Sequence, residues 1–268
     1  MDDFTRADNE DIDADTSGMS GMLAPLSYIE VGDTNLSLPG LTNIAGNALS
    51  LADGPNMSVF HLDRNFVSDT TTNISVSLDL LSNDGNADQL GERFVGVGFG
   101  ATQSEAEGAA FDHNAAATSP AWKGHQNGTT DGSGFADFFV AWERTGGDPD
   151  TAGQIAIWRN GIKGMVFDNA GAFYEIGSTL TVGLSFADFS AGSTVTADIT
   201  YGDVALGTET FTWDNTNQNY IGIAARQNQQ GWSVDNLMIE ANAFVPEPQL
   251  NALWIVIGLA IFHRSRRR

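Results

Sequence analysis

Hydrophobic and polar residues alternate along most of this chain. Three stretches show the pattern clearly, at positions 74–80, 180–186 and 195–201. In each stretch every second residue is apolar, and the residues between are Ser, Thr, Asp or Gly. A period of two gives a strand one apolar and one polar face, which is typical of an antiparallel sheet covered on one side.

Turn-forming residues separate the strands. Asn160-Gly161 lies between two β-rich runs and predicts a hairpin with a two-residue turn. Outside the C-terminal tail, the best helical candidate is the short segment 102–110. About a dozen strands without alternating helices predict an all-β fold, a two-sheet antiparallel sandwich or jelly roll. We expect one such domain over residues 1–243.

The last strand of this domain, residues 232–240, breaks the strict alternation. Val234 and Leu237 share a face only if one residue between them is extruded, which predicts a β-bulge at Asp235–Asn236. The sequence Val-Asp-Asn-Leu-x-Ile of this strand resembles the final strand of concanavalin A-like, laminin-G-like jelly rolls.

Other segments fit the same family. They are the opening Asp2-Asp3-Phe4, the strand at 46–51, and the strand at 137–143 followed by the hairpin at 155–161. The resemblance covers most of residues 2–241 and implies a concanavalin A-like jelly roll.

The C-terminal 24 residues differ in character from the rest. A Pro-Glu-Pro turn at 246–248 precedes an apolar run from Leu250 to Phe262, which is interrupted only by Asn251. Four arginines follow, at positions 264, 266, 267 and 268. We expect a hydrophobic helix over 250–262 that enters the membrane and leaves its arginines on the cytoplasmic side. At about 1.5 Å per residue, a helix over this run is shorter than the hydrocarbon core of a bilayer. The long side chains of Arg264 and Arg266 therefore have to reach to the membrane surface, which is known as snorkelling, for the segment to span it.

This order of elements resembles the PEP-CTERM sorting signal of bacterial exosortase substrates. Pro246, Glu247 and Pro248 match its signature positions, and Arg264, Arg266, Arg267 and Arg268 match its basic stop. The resemblance implies a sorting region over 244–268, an exosortase as partner, and release or anchoring at the cell surface, where family members are linked to exopolysaccharide and biofilm matrix. The family carries an N-terminal secretion signal, which residues 1–15 do not resemble. We therefore expect a truncated start, with Asp2–Phe4 as the first strand of the mature domain.

Charge and cysteine content exclude some functions. The chain has 34 acidic residues, and apart from the four C-terminal arginines only eight basic ones. A domain this acidic is repelled by phosphate backbones, which argues against nucleic-acid binding. The absence of cysteine excludes disulfides, thiolate zinc sites and a cysteine nucleophile.

Catalytic patterns of the fold are missing from the strands. Laminarinase-type glycoside hydrolases place several carboxylates on one strand, in a pattern like Glu-x-Asp-x-Glu, because two carboxyl groups must flank the glycosidic bond. The nearest case, Asp137 and Glu143, is about 20 Å apart along a strand, so we expect two solvated strand-end charges. Glu105 and Glu107 resemble loop charges, and His61, at a strand end, receives no role. A divergent glycoside hydrolase or polysaccharide lyase with a site assembled across strands stays an alternative.

Two binding features are candidates. Asp84, Asn86 and Asp88 alternate in a turn with Glu92 nearby, a spacing that suits Ca²⁺ as a possible cofactor. Trp122, in a long Gly- and Asn-rich loop, is the candidate for stacking on a sugar. Gly96, Gly98 and Gly100 predict a bare sheet face opposite the core residues Val95, Val97 and Phe99, where another backbone or a ligand can approach.

These observations favour a non-catalytic, exported protein of the bacterial envelope or cell surface, held by a single membrane span before processing. Its expected partners are an exosortase, the membrane and, as a carbohydrate ligand, exopolysaccharide. The second alternative is a purely structural, membrane-tethered protein.

Overall fold

The computed structural model describes residues 1–5, 15, 17–21, 26–31, 42–51, 57–67, 71–83, 94–107, 136–144, 153–159, 162–167, 176–213, 218–226 and 232–243. Within these ranges the chain forms fourteen strands and one short helix, α1 (Gln103–Ala106). The strands are β1 Tyr28–Val31, β2 Thr42–Ala45, β3 Ala48–Leu51, β4 Met57–Leu62, β5 Thr71–Asn83, β6 Phe94–Ala101, β7 Phe138–Arg144, β8 Gly153–Arg159, β9 Ile162–Phe167, β10 Thr179–Phe186, β11 Thr194–Tyr201, β12 Val204–Thr212, β13 Tyr220–Arg226 and β14 Trp232–Ala243.

The strands form two antiparallel sheets of seven. The first sheet has the order β1-β4-β13-β6-β7-β8-β9, and the second has the order β12-β11-β10-β5-β14-β3-β2. The all-β, two-sheet antiparallel class predicted from the sequence is therefore confirmed. The last two strands are inserted between early ones: β13 lies between β4 and β6, and β14 lies between β5 and β3.

The main core lies between the sheets and follows the predicted alternation. The apolar positions of 74–80, 180–186 and 195–201 are all buried in it, as are Val95, Val97 and Phe99. Aromatic rings join the two sheets across this core. Trp142 on β7 meets Trp232 on β14 edge-on, with ring centroids 5.3 Å apart. Phe138 stacks on Phe211 at 4.4 Å.

The predicted bulge in the last strand is confirmed. The register of β14 against β5 shifts between Asp235 and Met238, and Asn236 has a φ of 50°. Because of the bulge, Val234 and Leu237 are both buried in the core.

The hairpin around Asn160-Gly161 is also confirmed, since Arg159 pairs with Ile162. The two turn residues themselves lie outside the described part of the chain. The predicted strand at 46–51 is shorter than expected. Gly46 and Asn47 have φ values of 63° and 62° and turn the chain between β2 and β3. Two successive positive φ values are typical of a type I′ hairpin turn.

The opening residues join the domain, although not as a regular strand. Asp2 forms isolated bridges to Leu237 and Met19, and Phe4 is buried in the core.

The tail falls outside the described residues, and with it the predicted helix over 250–262. Among the described residues, no helix has the length and apolar character needed to cross a bilayer.

Candidate functional site

Three segments meet at one end of the first sheet. Residues 63–67 follow β4, residues 100–107 close β6 and form α1, and residues 218–220 lead into β13. β13 lies between β4 and β6 and runs antiparallel to both, so its beginning lies beside their ends. We call this region the three-segment junction.

Asn219 ties the three segments together. Its side-chain Oδ1 accepts from the backbone N–H of Gly100 at 2.8 Å, and its own N–H donates to Asn65 Oδ1 at 2.9 Å. Its carbonyl accepts from the N–H of Phe66 at 2.9 Å. Asn219 is fully buried, so these bonds are shielded from water and hold the segments in a fixed arrangement.

The helix α1 orders the surface of the junction. Thr102 and Glu105 form a capping box, in which each side chain bonds the backbone of the other residue. Gln103 makes hydrogen bonds both to the segment before β13 and to the residue after α1. Its backbone N–H donates to Gln218 Oε1 at 2.7 Å, and its side chain donates to Glu107 Oε1 at 2.7 Å. Gln103 and Glu107 thereby present polar groups to solvent from a supported backbone.

Tyr220 lies at the centre of the junction. Its ring packs against Ala101, Ala106 and Ile29, and only 9% of the residue is exposed. Burial raises the pKa of the Tyr220 hydroxyl, and the carboxylates of Asp63 and Glu107 raise this pKa further. Strand pairing explains why Asp63 lies near Tyr220. Gly222 pairs with His61, and continuing this antiparallel register by two residues brings Asp63 opposite Tyr220. The hydroxyl therefore stays protonated beside two exposed carboxylates.

Behind the junction, the side of the first sheet turned away from the core is also apolar and buried. We call this side the outer face. One row crosses it through His61, Gly222, Gly98, Phe139 and Trp158, which pair in that order on β4, β13, β6, β7 and β8. The apolar cluster on this face is separate from the main core and comprises Phe94, Ala136, Phe139, Ala141, Ala156, Trp158 and Ala224.

Small residues let the strands and rings of the outer face approach closely. A Cβ at Gly222 would lie 2.7 Å from the imidazole of His61, and a Cβ at Gly96 would lie 2.2 Å from the carbonyl oxygen of Val140. The predicted glycine face therefore exists, but strand packing requires Gly96 and the face is buried rather than bare.

Two titratable side chains on the outer face are buried. His61 is 1% exposed, and burial lowers its pKa to about 3, so the ring is neutral at pH 7. Glu143 is buried and accepts from Gln154 Nε2 at 2.7 Å, which corrects its prediction as a solvated strand-end charge. His61 and Glu143 lie three strands and four residues apart, or about 20 Å, which is too far for a cooperating acid–base pair.

The predicted site residues lie outside the described part of the chain. This holds for the calcium candidates Asp84, Asn86, Asp88 and Glu92, for Trp122, for Pro246, Glu247 and Pro248, and for the C-terminal arginines. Among the residues that the structure does describe, no group of three His, Asp or Glu side chains is placed to hold a metal ion.

The junction residues were not predicted from the sequence. Glu105 and Glu107 resembled loop charges, although the Thr-x-x-Glu spacing of Thr102 and Glu105 is the signature of a capping box. Asp63 and Tyr220 carry no local signal, because strand pairing alone brings them together.

No protein-family model matches this chain, and no curated protein sequence matches it. Among solved structures, it is similar to peanut lectin, with 9% identity over 85% of this chain and 96% of the lectin, at a TM-score of 0.48. Lectin I-B4 from Griffonia simplicifolia has 13% identity, with 83% and 95% of the two chains covered and a TM-score of 0.44. The Emp46p carbohydrate recognition domain in its potassium-bound form has 10% identity, with 84% and 91% covered and a TM-score of 0.44.

Proposed function

We propose that this chain is a carbohydrate-binding protein and that the three-segment junction is its sugar site. The observation that carries the proposal is the grouping at one end of the first sheet of Tyr220, packed against Ala101 and Ala106, with the exposed carboxylates of Asp63 and Glu107, which both raise the pKa of its hydroxyl. A sugar ring presents neighbouring hydroxyls, each of which both donates and accepts. Carboxylates accept from such hydroxyls, whereas a phenol and an amide N–H₂ donate to them.

Two further properties of the junction suit this role. Asp63, Gln103 and Glu107 are exposed to solvent, so an incoming ligand can reach them. Hydrogen bonds to Asn219 and the capping box of α1 fix the backbone beneath these side chains, which reduces the ordering cost of binding.

A glycan array with the wild type, Tyr220→Phe and Asp63→Asn tests the proposal. Each variant keeps the shape of its side chain and removes either the donor or the charge, so we expect affinity for the bound glycan to fall by about tenfold or more. Asp198→Asn is the matched control, because Asp198 is an exposed acid on β11 of the other sheet. Binding by all four proteins with equal affinity, or no binding to any glycan, would contradict the sugar site. Running the array with and without Ca²⁺ tests calcium as a cofactor.

We also propose that the protein is exported to the bacterial cell surface and sorted by an exosortase. The support is the order of Pro246-Glu247-Pro248, the apolar run 250–262 and the arginine cluster at the C-terminus. In such a protein the domain faces outward and meets exopolysaccharide.

Replacement of Pro246, Glu247 and Pro248 by alanine tests the sorting step in a host with an exosortase. Unprocessed full-length protein should accumulate in the membrane fraction, whereas Glu240→Ala, an exposed position on β14, should be processed normally. Normal processing of the triple variant would contradict the assignment.

A further inference from the structure

Four carboxyl groups gather where the N-terminal segment meets the bulge of β14. Asp235 is part of the bulge, and its partner in the neighbouring strand is Asp79 on β5. Asp2 and Asp3 come from the N-terminal segment 1–5, and both act electrostatically on Asp235 together with Asp79. The contact between segment 1–5 and the bulge is therefore built around like charges.

Hydrogen bonds and the buried ring of Phe4 hold segment 1–5 in place. The backbone N–H of Asp2 donates to the carbonyl of Leu237 at 2.8 Å. The Asp2 carboxylate is fully buried and accepts from the Tyr28 hydroxyl at 2.8 Å and from the Phe4 N–H at 3.0 Å. Phe4 has a φ of 50°, uncommon for a non-glycine residue, and places its ring in the main core.

Asp79 is held in place by hydrogen bonds to both of its carboxyl oxygens. Asn236 Nδ2 donates to Asp79 Oδ2 at 2.8 Å, and the Thr179 hydroxyl donates to Asp79 Oδ1. Asp235 accepts from the backbone N–H of Asn236 at 2.7 Å and is the group on which the other charges act.

We propose that the protonation of Asp235 controls the docking of the N-terminal segment 1–5 against the β14 bulge. The segment is held tightly at low pH and is released more easily as the pH rises.

The groups around Asp235 determine the direction in which docking changes with pH. Burial raises its pKa most, the bond from the Asn236 N–H opposes this, and the charges of Asp3, Asp79 and Asp2 raise the pKa further. The other strands packed against this part of the sheet, β3 and β10, contain no titratable side chain, and the amino terminus donates to the Ser20 carbonyl. When segment 1–5 leaves, two of the three charges and part of the burial are lost. The docked state therefore binds a proton more readily, and docking weakens as the pH rises through the raised pKa.

Hydrogen exchange of the backbone amides of residues 2–5, in the full chain at pH 4.0 and pH 7.0, tests this. After correction for intrinsic exchange rates, we expect lower protection at pH 7.0, with a change of up to about tenfold per pH unit across the titration of one proton. Asp235→Asn should keep high protection at both pH values. Asp198→Asn, an exposed acid on β11, should respond like the wild type.

Asp3→Asn provides a second variant that leaves the bulge unchanged. Removal of one of the charges acting on Asp235 should reduce the pH response, and it should do so whether or not Asp235→Asn folds well. Equal protection of the wild type at the two pH values would overturn the proposal, as would a full pH response in Asp3→Asn or in folded Asp235→Asn.

Discussion

The α-carbon of Gly222 lies under the imidazole of His61, with no room between them for a methyl group. A Cβ at this position would lie 2.7 Å from the ring, and both residues are in strands that have a neighbour on each side in the first sheet. We expect Gly222→Ala to lower the free energy of unfolding by about 1–3 kcal/mol, because the buried ring has to move into a packed layer. Urea unfolding followed by tryptophan fluorescence measures this change.

Gly183 provides the control for that substitution. It also lies inside a strand, β10, but a Cβ there meets its nearest atom, the carbonyl oxygen of Asp198, at 3.9 Å. Gly183→Ala should be neutral or stabilise the fold by up to about 1 kcal/mol, since alanine restricts the unfolded chain. Equal losses in the two variants would show that the contact with His61 is not what limits position 222.

His61 makes stability depend on pH. Its folded pKa of about 3 lies below the unfolded value of 6.5, so the unfolded chain binds a proton first as the pH falls. The contribution of the neutral ring is complete above pH 6.5 and is lost toward pH 3, with a slope of up to about 1.4 kcal/mol per pH unit. Between pH 7 and pH 5 the wild type should therefore lose stability relative to His61→Phe in urea titrations. Parallel curves would contradict a neutral, buried His61.

The helix α1 is only one turn long and depends on its cap. Removal of the Thr102 hydroxyl by Thr102→Ala breaks the capping box and should cost about 1 kcal/mol of stability. Because α1 positions Gln103 and Glu107, glycan affinity should fall as well. Ser104→Ala, an exposed position in the same helix, should affect neither measurement. If Thr102→Ala keeps full affinity, the cap does not organise the proposed sugar site.

The last strand illustrates what a local pattern can predict. Val234 and Leu237 are three residues apart, and two residues with odd spacing can share one face only through a bulge, so the position of Asp235–Asn236 followed from the sequence. The surroundings of Asp235 did not follow. They depend on Asp2 and Asp79, which are far away in the sequence and reach the bulge through the N-terminal bridge and the β5–β14 pairing.

The two sheets are also joined at the edge formed by β12. Phe211 stacks on Phe138 of the first sheet, and Glu209 pairs with Arg159 next to it. A double-mutant cycle with Phe138→Leu and Phe211→Leu should give a coupling of about 0.5–1.5 kcal/mol beyond the separate losses. Phe94→Leu, on the outer face, should combine additively with Phe211→Leu. Additivity in both cycles would show that the stack does not couple the sheets.

The two-sheet architecture was predictable because a period of two recurs along the chain, while the proposed sugar site was not. Tyr220 and Asp63 are brought together by pairing between strands that are remote in sequence, which residue spacing does not reveal. The burial of His61 and Glu143 was missed for a related reason. Whether a sheet face is covered depends on other parts of the chain, and the alternation within a strand does not report on it.

The order of the strands has a consequence for synthesis. β13 is inserted between β4 and β6, and β14 between β5 and β3, so each sheet stays in two separate pieces until residues 220–243 are present. Contacts of such long sequence separation form slowly, since the chain must close large loops first. A ribosome-bound chain from which residues 220–243 have not yet emerged therefore has no complete sheet, and neither sheet can close before its inserted strand has left the ribosome.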